Sequence, residues 1–305
     1  MQKKVTIKET DILFAGIDGG GTNCRARIET ADGTLVGTGL GGTANPSHGL
    51  PTVTDSIMAA LEMALKQAGL PVELVANLIV GAGLAGLHLA KYRDLMASWQ
   101  HPFKALYLTD DLHVATRGAH NGGDGAVVIV GTGFSALSLV KGHETAIGGH
   151  GFLQADYCSG GWIGYQAVQA VLLADDNLAE STQLSDLLYQ KYNATGLELA
   201  DRLVGATARE YGELAPLVFT AAEQGDAVAG KIITESGQFL ERVISQLLKT
   251  NPPRLSLVGS IAERLIPRLN SELVDKISAP IKTPEVGAVN YARQQYKGMN
   301  AESIA

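Results

Sequence analysis

The sequence has very few cysteines and no long apolar run. Only two of its 305 residues are cysteine, at positions 24 and 158, and they do not form a Cys-x-x-Cys pair. This count excludes a disulfide framework and a four-cysteine zinc site. No apolar run reaches the roughly 18 residues of a membrane span, and no basic-then-apolar signal opens the chain. We therefore expect a cytoplasmic protein that has no membrane partner.

Charged residues are also scarce, at 18% of the chain, and the net charge is −7. A nucleic-acid surface needs clustered Lys and Arg, so nucleic acid is not an expected partner. What the chain does have is apolar residues, at 46%, and 36 glycines. A chain of this length and composition can bury a large core, and we expect two domains.

The glycines are most conspicuous after the first predicted strand. That strand ends in Asp18, and Gly19, Gly20, Gly21 and Thr22 follow before a second strand. Glycines let the backbone turn tightly and approach a bulky anion, and successive N–H groups form an anion-binding nest. Asp18 would repel a bare phosphate, so the pattern predicts Mg²⁺ between them. The alternative is an ordinary β-hairpin with a glycine turn.

A second stretch repeats this pattern. An apolar strand runs into Gly131, Thr132 and Gly133, and a second strand follows up to residue 140. After each copy come a polar turn, a third short strand, a glycine-rich loop and a helix. The repeat predicts two related domains that face each other, with both turns at the cleft.

Two further motifs complete the pattern, Thr109-Asp110-Asp111 and Val258-Gly259-Ser260. Taken in their order along the chain, the four motifs (Asp18–Thr22, Thr109–Asp111, Gly131–Gly133 and Val258–Ser260) resemble those of the sugar kinase/actin/Hsp70 superfamily. Within it, the whole chain resembles the BadF/BadG/BcrA/BcrD group, and most of all its N-acetylglucosamine kinase branch. The resemblance implies an α/β fold, with two ribonuclease H-like domains around a central cleft as in actin-like ATPases. We place these domains at residues 1–119 and 120–283, the second with a helical insert, and expect a helix over about 284–300 to return to the first.

The resemblance also implies a function, the ATP- and Mg²⁺-dependent phosphorylation of an amino sugar at its 6-hydroxyl, by a homodimer. Asp18 is then the metal ligand. The expected nucleotide contacts lie in the two turns and in the adenosine motif: Gly19, Gly20, Gly21, Thr22, Gly131, Thr132, Gly133, Gly259 and Ser260. The expected sugar contacts are Asn45, Asp111, Gly149 and Asp156. An Asx turn at Asn45 and a helix cap at Asp156 are the structural alternatives.

Two neighbouring carboxylates compete for the role of catalytic base. A sugar hydroxyl is a poor nucleophile, and a carboxylate at the carboxyl end of a strand can accept its proton. The family's base falls on Asp111 when its motif is laid on Thr109-Asp110-Asp111. Asp110 is then available to cap the following helix, and an exchange of the two roles stays open.

The identity of the sugar rests on the loop around Asp156. Compared with the family's loop, Ala155, Tyr157 and His150 are departures that add bulk but no negative charge. A free 2-amino group is cationic and calls for a carboxylate, whereas an acetamido group calls for an apolar wall. We therefore predict N-acetylglucosamine as the substrate, with glucosamine as the alternative.

Two other functions compete with a sugar kinase. Gly81-Ala82-Gly83-Leu84-Ala85-Gly86 matches GxGxxG after a strand predicted at Leu74–Val80, as a dinucleotide-binding oxidoreductase would. The start of the chain, with three strands and no repeating βαβ series, argues against it. An ATP-driven activase would need cysteines for a shared iron–sulfur cluster, and neither Cys24 nor Cys158 suits that role. His113 and His120 are predicted to be solvent-exposed rather than metal ligands.

Overall fold

The computed structural model describes residue 7 and residues 11–302, with side chains up to residue 298. Apart from residue 7, the polar lead-in of the predicted first domain lies outside the described residues. The chain divides into two compact units, one up to residue 123 and again from residue 280, the other over residues 124–279. Within the described part, no helix is both long and apolar enough to cross a membrane.

The first unit is built on a five-stranded sheet with the order β3-β2-β1-β4-β5. The strands are β1 (Leu13–Gly19), β2 (Cys24–Thr30), β3 (Leu35–Gly41), β4 (Leu78–Leu84) and β5 (Ala105–Thr109). The helices between them are α1 (Leu50–Gln67), α2 (Ala90–Ala97) and α3 (Asp111–Ala119). The first three strands are antiparallel, whereas β4 and β5 run parallel to β1. The carboxyl ends of β1, β4 and β5 therefore meet at one edge.

Alternate glycines on β3 bring α1 directly onto the sheet. A Cβ on any of them would lie 2.0–2.1 Å from a backbone oxygen of α1, the pairs being Gly37 with Ala64, Gly39 with Ala60 and Gly41 with Ser56. No side chain fits at that distance, so this glycine pattern serves helix packing. Apolar side chains of α1 then fill the core on this face, among them Val53, Ile57, Leu61 and Leu65.

The second unit has a four-stranded sheet with the order β8-β7-β6-β9. Its strands are β6 (Gly125–Val130), β7 (Phe134–Val140), β8 (His143–Gly148) and β9 (Leu255–Val258). Between β8 and β9 lie α4 (Gly160–Asp175), α5 (Leu184–Tyr192), α6 (Gly196–Arg202), α7 (Ala208–Gly212), α8 (Ala215–Glu223) and α9 (Ala227–Leu248). After β9 come α10 (Ser260–Leu265) and α11 (Ser271–Val274). The order of its strands repeats that of the first four strands of the first unit.

The last helix, α12 (Pro284–Glu302), belongs to the first unit. It packs against β1 and β4 through glycines of the sheet. A Cβ on Gly16 would lie 2.0 Å from the backbone oxygen of Glu285, and one on Gly81 would lie 2.3 Å from that of Ala288. This close packing brings the start of α12 to the middle of the sheet, near the end of β1.

The glycines of β4 have a different role from the one their spacing predicts. The strand spans Leu78–Leu84 rather than Leu74–Val80, and a short 3-10 helix over Val72–Asn77 precedes it. Gly81 and Gly83 are therefore strand residues, and α12 and α3 cover them closely. The turn between β4 and α2 contains only the last glycine of the motif, Gly86, and the first two are covered by helices and cannot approach a pyrophosphate. The structure therefore argues against the dinucleotide-binding interpretation.

We expect Arg293 on α12 to be a major source of stability for the first unit. Its guanidinium donates to the Glu29 carboxylate at 3.0 Å and to the backbone oxygens of Thr30 at 2.7 Å and Ala31 at 2.6 Å. It also lies 4.7 Å from the centre of the Phe14 ring. Because Glu29 is buried and, among the described residues, would keep only the Arg27 guanidinium as an ion-pair partner, Arg293→Ala should cost about 2–3 kcal/mol.

Urea unfolding, followed by tryptophan fluorescence, measures this cost. Lys66→Ala, which removes an exposed ion pair with Glu62, is the matched control and should change stability by less than about 0.5 kcal/mol. A loss below about 1 kcal/mol in Arg293→Ala would show that the contacts of α12 with β2 contribute little.

Candidate functional site

The first glycine turn joins β1 to β2 as a tight β-hairpin. Gly19 pairs with Cys24, and the N–H of Gly20 donates to the Asn23 oxygen at 2.9 Å. None of the three glycines has a positive φ, so conformational freedom is not what requires them here. A Cβ on Gly19 would lie 2.5 Å from Leu84, whereas one on Gly21 would meet nothing within 4 Å. The turn is thus packed at its base and open at its tip, where Thr22 is exposed.

Asp18 and Thr109 lie in one row across the sheet. Asp18 is opposite Gly83 of β4, and Gly83 is opposite Thr109 of β5. Two strand spacings separate the ends of this row, about 10 Å. Gly83 has no side chain, and a Cβ there would lie 2.2 Å from Val114, so α3 packs closely against the strand. Asp110 and Asp111 follow directly, which places three carboxylates at this edge of the sheet.

Asp18 is a half-buried carboxylate with an acidic and a basic neighbour. Burial, and then the carboxylate of Glu285, raise the pKa of Asp18 to about 6. The guanidinium of Arg25, 3.5 Å away, opposes this rise only weakly because it is largely exposed. The Glu285 Oε2 is buried and has no hydrogen-bond partner among the described residues. Two carboxylates in this position favour a cation.

Asp110 and Asp111 have different environments. Asp110 caps α3, and its Oδ1 accepts hydrogen bonds from the N–H of His113 at 2.8 Å and from the Nδ1 of His113 at 2.7 Å. Burial alone would raise the pKa of Asp110, but His113, with a contribution from His88, holds it below its usual value. For Asp111, burial, Asp110 and Asp18 raise the pKa to about 7. Asp111 is therefore the carboxylate that can exchange a proton near neutral pH.

Asn45 forms the Asx turn that was given above as the structural alternative to a sugar contact. Its Oδ1 accepts a hydrogen bond from the Ser47 N–H at 2.9 Å and so caps a 3-10 helix over Pro46–His48. The same oxygen lies 3.5 Å from the position that a Cβ on Gly86 would occupy. The turn uses only the carbonyl oxygen, so the amide NH₂ remains the group that Asn45 can offer to a ligand.

The second glycine turn is braced by the first turn of α4. The N–H of Gly160 donates to the Gly131 oxygen at 2.8 Å, and the N–H of Gly161 donates to the Thr132 oxygen at 3.1 Å. A Cβ on Gly131 would meet nothing within 4 Å, whereas one on Gly133 would lie 3.0 Å from the Asp156 Oδ2. The turn is therefore fixed from below and open at Gly131, as in the first unit.

The predicted adenosine motif lies beside this turn. Gly259 has a φ of +111°, and a Cβ there would lie 2.3 Å from the Val130 oxygen, so both its conformation and its surroundings require glycine. Ser260 begins α10 and is exposed. The helix ends at Leu265, and a 3-10 turn over Ile266–Arg268 follows. The second unit therefore brings Gly131–Gly133 and Gly259-Ser260 together.

Asp156 lies in the loop between β8 and α4. It is only 8% exposed, and its Oδ1 has no hydrogen-bond partner within the described part of the chain. Burial raises the pKa of Asp156, although the backbone amides of Phe134 and Gly151 and the charge of His150 lower it. Ser159 rather than Asp156 caps α4, which excludes the structural alternative. Gly149, with a φ of +73°, donates its N–H to the Phe134 oxygen at 3.0 Å.

Two histidines are more buried than the sequence predicts, and two neighbours of the site had no predicted role there. His113 is half-buried against Asp110, and His120 is only 4% exposed, so the prediction of solvent exposure is wrong for both. Glu285 and His113 had no predicted role. The position of His113 three residues after a capping Asp was a usable signal, because this spacing places it in the first turn of the helix. For Glu285, the sequence showed only that it lies in the first turn of a predicted helix, and nothing linked it to Asp18.

Three comparisons relate the chain to known proteins. The sequence pattern of the BadF/BadG/BcrA/BcrD ATPase family matches residues 15–292. The glucosamine kinase of Vibrio cholerae is 33% identical over 279 residues, which are 92% of this chain and 95% of that protein. The N-acetyl-D-glucosamine kinase of Dictyostelium discoideum is 27% identical over 259 residues, which are 78% of this chain and 79% of that protein.

Solved structures give the same result for the fold. A putative N-acetylglucosamine kinase from Chromobacterium violaceum superposes with a TM-score of 0.88 at 27% identity, over 93% of this chain and 99% of that one. A glucokinase of the ROK family from Streptomyces griseus, in complex with glucose and AMPPNP, superposes with a TM-score of 0.57 at 18% identity, over 92% and 99%. The second similarity shows the fold alone.

Proposed function

Because the chain belongs to the BadF/BadG/BcrA/BcrD ATPase family, we propose that it transfers the γ-phosphoryl group of ATP to an amino sugar. The membership confirms the family resemblance, and the solved structures confirm the α/β fold class. The amino-sugar kinases among the relatives support the enzyme class. The observation that carries the proposal is the edge of the first sheet, which holds Asp18 at the start of an open glycine turn and Asp111 after the strand two places away.

We assign the phosphates of ATP to the two glycine turns. Each turn has a position, Gly21 or Gly131, where even a Cβ would meet nothing within 4 Å, so a phosphate can approach the backbone. Thr22 and Thr132 are exposed beside these positions and carry hydroxyl donors. Gly259 and Ser260 are the proposed adenosine contacts, since a glycine with a positive φ lets a flat ring approach the chain.

The residues of the first unit fit a magnesium ion, which the family implies. Carboxylate oxygens are the preferred ligands of Mg²⁺, which usually takes one or two of them together with phosphates and waters. Asp18 has this chemistry, and its raised pKa shows that a nearby cation would relieve an unfavourable negative charge. The bound ion would neutralise charge on the phosphates.

Asp111 is the proposed catalytic base. Its carboxylate takes the proton of the sugar 6-hydroxyl while that oxygen forms a bond to the γ-phosphorus and the bond to ADP breaks. A pKa of about 7 suits this role, because the carboxylate is partly ionised at neutral pH and is still basic enough to hold the proton. We further propose that Asn45 donates its amide to the sugar. Gly149 and Asp156 of the second unit stay predicted sugar contacts.

For the acceptor, we propose N-acetylglucosamine first and glucosamine second. Asp156, the carboxylate predicted to hold the ring hydroxyls, has His150 beside it, and this histidine lowers the demand for a cationic partner. The 33% identity with a glucosamine kinase favours the second candidate. Magnesium dependence and a homodimer stay predictions from the family resemblance, and a cytoplasmic location stays a prediction from the composition of the chain.

A panel of sugars tests the acceptor. With Mg-ATP and equal low concentrations of sugar, we expect kcat/KM to be highest for N-acetylglucosamine, and phosphorus NMR should place the phosphate on the 6-hydroxyl. Faster turnover of glucosamine would select the second candidate. Activity on glucose alone, with neither amino sugar phosphorylated, would contradict the proposed function.

An activase that reduces a partner enzyme has less support. Such a protein needs exposed cysteine thiolates to hold an iron–sulfur cluster between subunits. Cys24 and Cys158 are both completely buried, and burial raises the pKa of the Cys24 thiol to about 12. For Cys158 too, burial raises the thiol pKa well above its usual value. Neither side chain can reach a cluster shared with another subunit.

A further inference from the structure

Asp110 and Asp111 are adjacent carboxylates at the start of α3, and they form different hydrogen bonds. Asp110 Oδ1 receives both the backbone N–H and the ring Nδ1 of His113, at 2.8 and 2.7 Å. Among the described residues, the carboxylate of Asp111 receives backbone donors only, one of them the N–H of Leu112 at 3.0 Å from its Oδ1. Asp110 thus has a side-chain donor, the His113 ring, that Asp111 lacks.

The same contact defines the state of the His113 ring. An ionised carboxylate can only accept hydrogen bonds, so the Nδ1 of His113 must carry a hydrogen. Charge-assisted bonds of this kind are short and strong, and 2.7 Å lies at the short end of their range. Both side chains are partly buried, with 24% of His113 and 16% of Asp110 exposed, so water screens the pair only in part.

Titratable groups from α3, β1, α12 and the segment between β4 and α2 surround this pair. The groups that act on Asp110 are His113 from α3, His88 from the segment between β4 and α2, and Tyr291 from α12. Those that act on Asp111 are Asp110 itself and Asp18 from β1. Of these groups, only His113 forms a hydrogen bond with the Asp110 carboxylate within the described residues. It is therefore the contact to alter.

We propose that His113 is a positioning residue for phosphoryl transfer: it fixes Asp110 as an anionic helix cap and thereby reserves Asp111 for the proton of the sugar hydroxyl. This inference rests on the proposed function. Without the ring donor, Asp110 is a second, freer carboxylate beside the base. It then competes for the same proton and for the same sugar hydroxyl, so productive geometry becomes rarer.

Two substitutions of His113 distinguish positioning from packing. The Nδ2 of an asparagine occupies the place of the ring Nδ1, so His113→Asn keeps the donor while it loses ring volume. His113→Leu keeps apolar volume while it loses the donor. We expect His113→Asn to retain kcat within about threefold, and His113→Leu to lose roughly ten- to a hundredfold with the KM for ATP unchanged. A packing role predicts the opposite order. His143→Ala, at an exposed histidine of β8, is the control.

Two further readouts complete the test. In nitrogen NMR of the wild type without substrate, His113 should carry its hydrogen on Nδ1, and a bare Nδ1 would overturn the inference. Asp110→Asn keeps a capping side chain but removes the negative charge beside Asp111. The fall of kcat on the acid side of the pH profile should therefore move to lower pH by about half a unit or more. An unchanged pH profile would also overturn the inference. If the wild type is active and His113→Leu has a higher kcat than His113→Asn, this inference is contradicted and the proposed function is not. A wild type that phosphorylates no amino sugar contradicts the proposed function as well.

Discussion

Replacing Asp111 by Asn is expected to lower turnover by roughly two to four orders of magnitude while ATP still binds, since general-base assistance has this size. The asparagine is nearly isosteric and keeps an oxygen for the Leu112 N–H, so the first turn of α3 should be undisturbed. Single-turnover kinetics and nucleotide titration measure the two quantities. Full activity in this variant would transfer the role of base to Asp110.

The pH dependence of the wild type provides an independent check. Because the base must be ionised, kcat should fall as the pH drops through about 7, the pKa of Asp111. The pH dependence of stability has the opposite sign to that of kcat. A pKa raised in the folded protein penalises the ionised form, so this group lowers stability progressively as the pH rises from about 4 to above 7. We therefore expect Asp111→Asn to raise the melting temperature at pH 8, and an equal or lower value would contradict the burial of this charge.

The second large effect is expected at Asp18. Asp18→Asn should lower kcat by about a hundredfold or more and raise the Mg²⁺ concentration needed for half-maximal turnover, because it removes the carboxylate proposed to hold the ion. The sugar should bind as before, since Asp18 is assigned to the metal and not to the sugar. Titration with Mn²⁺ in place of Mg²⁺, followed by water relaxation, measures the metal site without turnover.

Asp55→Asn is the matched control for this experiment. Asp55 is an exposed carboxylate on α1 of the same unit, so its loss changes the net charge equally without touching the edge of the sheet. An unchanged Mg²⁺ dependence in Asp18→Asn would remove Asp18 from the metal site. A loss of sugar binding as large as the loss of turnover would instead indicate that Asp18 supports the sugar site.

The structure also shows why two sequence patterns were misleading. Gly81 and Gly83 match a dinucleotide-binding turn, yet they are strand residues that α12 and α3 cover. A glycine looks the same in sequence whether a ligand or a helix approaches it. His113 lies in the first turn of α3 and His120 directly follows its last residue, and their burial depends on α12 and on other segments that pack against α3 from far along the chain.

The sequence by itself determined the repeated strand–turn–strand units, the open glycine turns and the position of acids at the strand ends. These features are local: strand alternation, turn composition and the residue that follows a strand lie within a few consecutive positions. The family resemblance added the order of the motifs along the chain. The roles assigned to individual residues in the site stay predictions.

Only the tertiary structure decided which of the two adjacent aspartates is committed to the helix and which is not. That difference depends on a ring nitrogen of His113, on the burial of Asp111 and on the charge of Asp18 from β1. In the same way, Glu285 lies near Asp18 only because Gly16 and Gly81 let α12 pack onto the sheet. Charges interact through space over a few ångströms, so the pKa of each carboxylate depends on neighbours that folding brings together from distant parts of the chain.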